Sequence, residues 1–303
     1  MTNAIDEALA GESETFAGAI KAVITGDRPT LDLLLRQWPA LVRERSAAAH
    51  HATLLHYVAA NGVQDSLQIV PANAVEIAEA LLEAGSDPNA VCDSYGGNAT
   101  TMDMLVTSVH PSKASVQGTL VRTLCAHGAK VDGIDGDGKP MGGALLFGYP
   151  ECVAVLTDLG ARVDNIVFAA ASGRLEILRS QLVRYTLPIS PPLAFPISPD
   201  VNIAREQALV FASLCDQVKA VAILLDAGVN IDAIPPGSHV TGTALHTAAY
   251  QGNLETIRYL LNRGADPAIL DSRYQSTPLG WARHGGRLEA AELLASSDRS
   301  PHN

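Results

Sequence analysis

The sequence predicts an all-α repeat solenoid of about eight helix-pair units joined by short hairpin-like loops. Three observations carry that expectation. The 303-residue chain is 47% hydrophobic but only 5% aromatic, so its core is built from Leu, Ala, Val and Ile, which suits close-packed helices better than a β-sandwich. One phrase recurs along it: an apolar pair, two variable residues, Gly, a small residue and then Asp or Asn. A second phrase precedes the first: Thr, apolar residues, a small pair and a closing Gly. Self-similarity of this kind marks stacked units.

The first phrase reads Leu81-Leu82-Glu83-Ala84-Gly85-Ser86-Asp87 and returns as Leu124-Cys125-Ala126-His127-Gly128-Ala129-Lys130-Val131-Asp132. Further copies lie around Gly160-Ala161, Gly228-Val229-Asn230 and Gly264-Ala265-Asp266. The apolar pair packs the end of a helix. Gly then admits the left-handed turn that ends it, and Asp or Asn bonds the backbone of the turn beyond. The second phrase reads Thr53-Leu54-Leu55-His56-Tyr57-Val58-Ala59-Ala60-Asn61-Gly62 and recurs from Thr243 and from Thr277. Thr caps a helix start, Pro278 suits its first turn, and the Ala pair lets a second helix approach.

These residues resemble the ankyrin repeat, whose pattern is T-P-L-H-x-A-A with a period near 33 residues; the step from Thr243 to Thr277 is 34. The resemblance covers about Phe16 to Ala295. It implies units of two antiparallel helices and a loop, stacked into a curved solenoid. Units are expected to begin near residue 16, at Thr53, near Thr100, around Gly142, at Asn165, at Ala204, at Thr243 and at Thr277. The expected boundaries are an N-terminal tail over 1–15, a solenoid over 16–296 and a C-terminal tail over 297–303.

Several departures interrupt the pattern. Val63 to Asn73 and His110 to Ser115 are inserts, expected on one rim. The Pro-rich stretch 187–200 cannot be helix and reads as an extended spacer or a recognition loop. Gly160 to Gly173 leaves room only for a truncated finger.

The net charge of −11 repels nucleic-acid phosphates and anionic lipid, so neither a nucleic acid nor a membrane is an expected partner. No stretch approaches the roughly 20 apolar residues of a membrane span. Cys92, Cys125, Cys152 and Cys215 are far apart, without a C-x-x-C pair or zinc spacing; reduced thiols and a cytoplasmic location are expected. Met1 to Thr15 lacks the features of a signal peptide.

Motifs for chemistry are missing: no G-x-S-x-G elbow, phosphate loop or H-E-x-x-H helix occurs. The run from Asp132 to Gly138 fails the EF-hand spacing. No metal site is expected at His50, His51 and His56, which lack further ligands, and no cofactor is expected. At the pattern's histidine, His56 and His246 are implied to bond the backbone and the repeat's Thr. Asp103 and Gly280 replace that histidine in two units.

The resemblance implies a protein-binding module, of the kind also found in bacteria as stand-alone adaptor, inhibitor or immunity proteins, with partners held at loop tips and along the first helices. The acidic charge suits a basic partner. The residue after the histidine position is Tyr57, Phe168, Phe211 or Trp281 in four units, and four positions on lie Asn61 and Gln251, with Tyr250 beside them. Tyr95, Arg273 and Tyr274 near loop tips, and Arg283, extend the candidate partner face. These rings either form an exposed stripe or pad the gap between neighbouring first helices. The alternative function is an enzyme or small-ligand binder in the second and third units, with Asp103, His110 and Tyr57 as an acid–base set.

Overall fold

Helix starts in this chain are written by capping side chains, and the backbone follows them. In the computed structural model, which describes residues 2–187, 196–237 and 240–297, Ser13, Thr100, Asn165, Asp200 and Thr277 each accept a main-chain N–H from the first turn that follows. Each such cap satisfies a donor the helix itself leaves orphaned. Among the described residues there are eight helix pairs, an all-α repeat solenoid in which the chain forms two compact units, 1–161 and 162–303.

The first unit opens with α1 (Thr2–Ala8) and continues with α2 (Glu14–Thr25) and α3 (Arg28–Gln37). A single turn, α4 (Leu54–Tyr57), pairs with α5 (Ala74–Glu83). A two-residue hairpin follows, β1 (Val91–Cys92) antiparallel to β2 (Ala99–Thr100), with Val91 opposite Thr100. Then come α6 (Thr101–Leu105), α7 (Val109–Lys113), α8 (Gln117–Ala126), α9 (Lys139–Leu146) and α10 (Pro150–Asp158). First helices stack in the order α2, α4, α6, α9, and second helices in the order α3, α5, α8, α10.

The second unit repeats the scheme with α11 (Ile166–Ala171), α12 (Leu175–Val183), α13 (Val201–Leu214) and α14 (Val218–Asp226). It closes with α15 (Ala244–Gln251), α16 (Leu254–Asn262), α17 (Pro278–His284) and α18 (Leu288–Ser297). Here α11, α13, α15 and α17 form one layer and α12, α14, α16 and α18 the other. Within this unit α13 and α15 are therefore flanked on both sides and covered beneath. All six residues of α11, and α15 from Ala244 to Ala249, are buried, which is why their sequence is apolar or small all round rather than amphipathic.

Two expectations are corrected. The residues expected as a tail, 1–15, include a docked helix: the carbonyls of Ala4 and Ala8 accept from Ser66 and Gln64, and Glu12 accepts from the amide of Ala47 and from Ser46. The insert 63–73 is the platform for that helix, a 3₁₀ turn at Asp65–Leu67 packed on α1. The sixth unit starts at Asp200, which caps α13, rather than at Ala204. Most of the Pro-rich stretch, 188–195, and the tail residues 298–303 lie outside the described residues. The flank at 196–198 is tied to α13 through Gln207, which donates to the Pro196 carbonyl and accepts from the Ser198 amide.

Candidate functional site

The seventh and eighth repeats build a trough of about 740 Å³ lined by Thr241, Tyr250, Arg273, Tyr274, Ser276, Gly280, Trp281 and His284. Behind Trp281, in the core, the amide (3.1 Å) and hydroxyl (2.9 Å) of Thr243 both face Nδ1 of His246. The opposite ring nitrogen, Nε2, lies 3.0 Å from the Ser276 carbonyl. A carbonyl only accepts, so Nε2 carries the proton and Nδ1 accepts. Burial lowers the pKa of His246, and the neutral ring holds α15 against the start of the next repeat.

Asp271 organises the loop tip. Its buried carboxylate accepts the amides of Arg273 (2.9 Å), Tyr274 (2.6 Å) and Ser276 (2.9 Å) and the indole N–H of Trp281 (3.0 Å). Burial pushes its pKa up, but these four donors outweigh burial and hold it down at about 2. The same tip is tied to the preceding finger, since the Ser272 amide donates to the Thr241 carbonyl at 2.8 Å.

The aromatic wall follows from that anchoring. Trp281 packs edge-on against His246, with ring centres 5.2 Å apart, and against Tyr250 at 6.2 Å. Tyr250 is stacked with His284 at 6.3 Å. The Arg273 guanidinium lies 5.3 Å from the centre of the Tyr274 ring. Tyr250 and Tyr274 stay 42% and 66% exposed, so the trough is open to solvent. Its floor includes Gly280, the residue standing where earlier repeats carry the stapling histidine.

Of the expected partner face, the trough gathers Tyr250, Tyr274 and Trp281, together with Arg273. Arg283 is exposed on α17 and Gln251 is half-buried on α15, and neither lines the trough. Tyr57, Phe168 and Phe211 are instead core residues, fully or almost fully buried. The reason is the register. The residue after the histidine position points at the preceding first helix, as Thr247 shows by donating to the Val210 carbonyl on α13 at 3.1 Å. Rings in that register pad neighbouring helices. Trp281 alone of the four reaches the surface. Thr241, Ser276, Gly280 and His284 were not expected in a site, although His284 sits four residues after Gly280, in the register of Tyr250 relative to His246.

In the first unit, Asn61 and Tyr95 do meet. The Tyr95 hydroxyl donates to the Asn61 side chain, which in turn donates to the Met104 carbonyl and the Thr107 hydroxyl, both at 3.0 Å. Tyr95 is 70% exposed on a loop whose residues 95–98 all have positive φ, a conformation that suits Gly96 and Gly97 and strains a tyrosine. The acid–base set is not assembled. Asp103 is used by its cap, accepting the amide (3.0 Å) and hydroxyl (2.9 Å) of Thr100, and it pairs with Lys139 at 3.3 Å. His110 is exposed on α7 and makes no hydrogen bond to Asp103 among the described residues. Tyr57 is buried beside His50, with ring centres 6.0 Å apart. Its hydroxyl lies by Ser46 but off hydrogen-bonding geometry, and burial pushes its pKa up to about 12.

The neighbouring histidines are occupied separately, His50 with Gln64 at 3.0 Å and His51 with Asp93 at 2.6 Å. Among the described residues no group of three or more His, Cys, Asp or Glu could hold a metal ion, and no helix is long and apolar enough to cross a membrane.

Residues 245–295, which contain most of the trough, match the family model for ankyrin repeats in many copies. The chain is 37% identical over 79 residues to a "Probable E3 ubiquitin-protein ligase XBOS34" of Oryza sativa subsp. japonica, covering 26% of this chain and 15% of that protein. It is 32% identical over 111 residues to the palmitoyltransferase Hip14 of Drosophila melanogaster, covering 37% of this chain and 16% of that one. A transient receptor potential cation channel subfamily A member 1 homolog of Caenorhabditis elegans is 35% identical over 96 residues, covering 32% of this chain and 8% of the channel. The chain thus spans less than a fifth of the length of each of these relatives, all plant or animal proteins. Residues 245–295 are thus similar in sequence to ankyrin repeats, and there the helix pairs are stacked and joined by the Thr–His cap.

Proposed function

We propose that this protein binds a partner protein through the open aromatic trough of its seventh and eighth repeats, and that it acts as an adaptor, inhibitor or immunity-type protein rather than as an enzyme. The observation that carries the reading is the grouping of Tyr250, Tyr274 and Trp281 around a solvent-open space of about 740 Å³. Aromatic side chains with a polar rim supply large contact area at low entropic cost and dominate protein recognition. The relatives support it: a ligase, a palmitoyltransferase and a channel share with this chain only short stretches of sequence. A cytoplasmic setting fits the four free cysteines.

The test is to capture binders on the full chain from the host's lysate, identify them by mass spectrometry, and titrate the purified partner. Tyr250→Ala and Tyr274→Ala are expected to weaken binding at least tenfold at unchanged melting temperature. Lys219→Ala, on the exposed side of α14, is expected to bind as the unaltered chain does. Equal affinity in all four proteins overturns the reading.

A further inference from the structure

We infer that the trough accepts an extended segment of a partner protein in which a carboxylate stands beside a large apolar side chain. The inference rests on the reading of the trough as the partner site and adds the chemistry of what enters it.

The first observation is where the charge lies. Residues 1–161 hold nineteen acidic and nine basic side chains, whereas residues 162–303 hold thirteen and twelve. The net charge of −11 that suggested a basic partner therefore resides almost wholly in the first unit. The unit that carries the trough is close to neutral.

The second observation is local. The side chains of charge-bearing type on the trough are Arg273 and His284. The carboxylate next to it, Asp271, is fully buried and engaged by Trp281 and three amides, so it offers nothing to a cationic ligand. Arg273 makes no ion pair among the described residues, and its guanidinium is held over the Tyr274 ring. That contact fixes its direction while leaving its N–H donors unused. A planar guanidinium with free donors matches a carboxylate with two parallel hydrogen bonds, and stacking on an aromatic ring lowers the entropy lost on pairing. A cationic ligand would instead meet Arg273 as a like charge.

The third observation sets the neighbour of that carboxylate. Trp281 and Tyr250 stand edge to face at 6.2 Å and present ring surface beside Gly280, where the small Ser276 side chain is the nearest neighbour and no bulky group stands. An aromatic or large aliphatic side chain is the complement of such a surface. The occupant is therefore acidic at the loop tip and apolar toward α17.

The experiment is selection of a random twelve-residue peptide display library on the full-length protein, followed by titration of the enriched peptides against Arg273→Glu, Arg273→Gln and Trp281→Ala. Each variant is checked for retained helicity and melting temperature. Enriched peptides are expected to carry Asp or Glu within two residues of an aromatic or large aliphatic residue. They are expected to lose at least tenfold in affinity on Arg273→Glu, and changing their acid to the amide should cost a similar factor. Enrichment of basic peptides, indifference to Arg273, or no enrichment at all overturns the inference. Apolar peptides that depend on Trp281 but not on Arg273 overturn it while leaving the trough as the partner site. Peptides indifferent to both residues remove the trough from that role as well. A single-stranded RNA 12-mer that binds more tightly than the best peptide would also overturn it.

Discussion

His246 and Ser276 are joined across a repeat boundary: Nε2 of the histidine donates to the serine carbonyl at 3.0 Å, while Nδ1 faces the capping Thr243. One neutral ring thus closes its own helix start and ties it to the next unit. His56 holds the same place in the second repeat, with Nδ1 accepting from the Thr53 amide at 3.1 Å and Nε2 beside the carbonyls of Ala90 and Ala99, off ideal hydrogen-bonding geometry. Where Asp103 replaces the histidine, the cap to Thr100 is kept but a carboxylate has no donor to offer. Lys139 of the following repeat supplies the link instead, as an ion pair.

His246→Ala removes both halves of that link. It leaves the buried Thr243 amide without a partner, at about 1–3 kcal/mol, and takes from the Ser276 carbonyl one of two donors, the Asp271 amide remaining at 2.9 Å. Loss of about 1–3 kcal/mol is expected, read as a lower urea midpoint. His246→Gln, which can reach with one donor and one acceptor, is expected to recover part of it. An unchanged midpoint in the alanine variant would mean that the ring is a passenger.

The same histidines set an acid limit on stability. Burial lowers the pKa of His56 to about 4, and that of His246 is also lowered, against roughly 6.5 in the unfolded chain. Between those values the unfolded state binds a proton that the folded state refuses. The stability is therefore complete above about pH 6.5 and falls as the pH drops through the window down to about 4. For His56 the loss between pH 7 and pH 5 is about 2 kcal/mol. Urea midpoints measured at pH 7, 6 and 5 should decline accordingly, and His56→Asn should flatten the decline even though it lowers stability at pH 7.

Asp271 works in the opposite sense. Its folded pKa is held down at about 2, below the roughly 3.9 of an unfolded aspartate, so its contribution is present above pH 4 and is lost as the pH falls through 2. Asp271→Asn keeps the shape but turns one accepting oxygen into an NH2 that cannot accept, so two of the four N–H donors lose their partner and the other two face a neutral oxygen, at a cost of at least about 2 kcal/mol at pH 7. That cost should be smaller at pH 3. Trp281 loses its carboxylate partner in this variant. In a Trp38→Phe background, which leaves Trp281 as the single tryptophan, its emission should shift. An unshifted spectrum would show that the indole does not depend on Asp271.

The stacking of helix pairs was legible from two phrases because their residues answer local demands: Thr for the cap, Gly for the left-handed exit, Ala where helices touch. Gly252 illustrates it, ending α15 at φ 81° beside the Arg287 side chain. The short link between α10 and α11, residues 159–165, matches the expected truncated finger beside the longer 127–138 between α8 and α9. The partner face was legible only in part. A helix flanked on both sides has little free surface, so a register that would be exposed on an isolated helix is core here, and Tyr57, Phe168 and Phe211 fell on the wrong side. Trp281 shares that register yet reaches solvent, since it is large and stands against the loop tip built by Asp271. Asp271 itself had a signal, an Asp six residues before the capping Thr277, but its fourfold bonding is a property of the folded tip. The docking of α1 was not legible because Gln64 and Ser66 bond its backbone carbonyls, which carry no residue-specific mark.

Gly280 gives the sharpest separation between folding and binding. It occupies the place that His246 holds one repeat earlier, and a Cβ built there meets the Ser276 hydroxyl, the end of a short side chain that can rotate away. Backbone is no obstacle, and φ at this position is helical rather than left-handed. Gly280→His therefore restores the residue that the repeat pattern carries, next to a Thr277 placed to cap it. Replacing a helical glycine also recovers about 1 kcal/mol of backbone entropy, which offsets the displaced serine. The net change in stability is expected to stay within about 1 kcal/mol. The imidazole would fill the floor beneath Trp281 and Tyr250, so the apolar anchor of a ligand loses its seat. Affinity for the partner, or for a selected peptide, should fall at least tenfold while the urea midpoint barely moves. Retained affinity in a well-folded Gly280→His protein would place the ligand above the rim, on Arg273 and Tyr274 alone, and a large loss of stability would mean that the space under Gly280 is needed by the repeat itself.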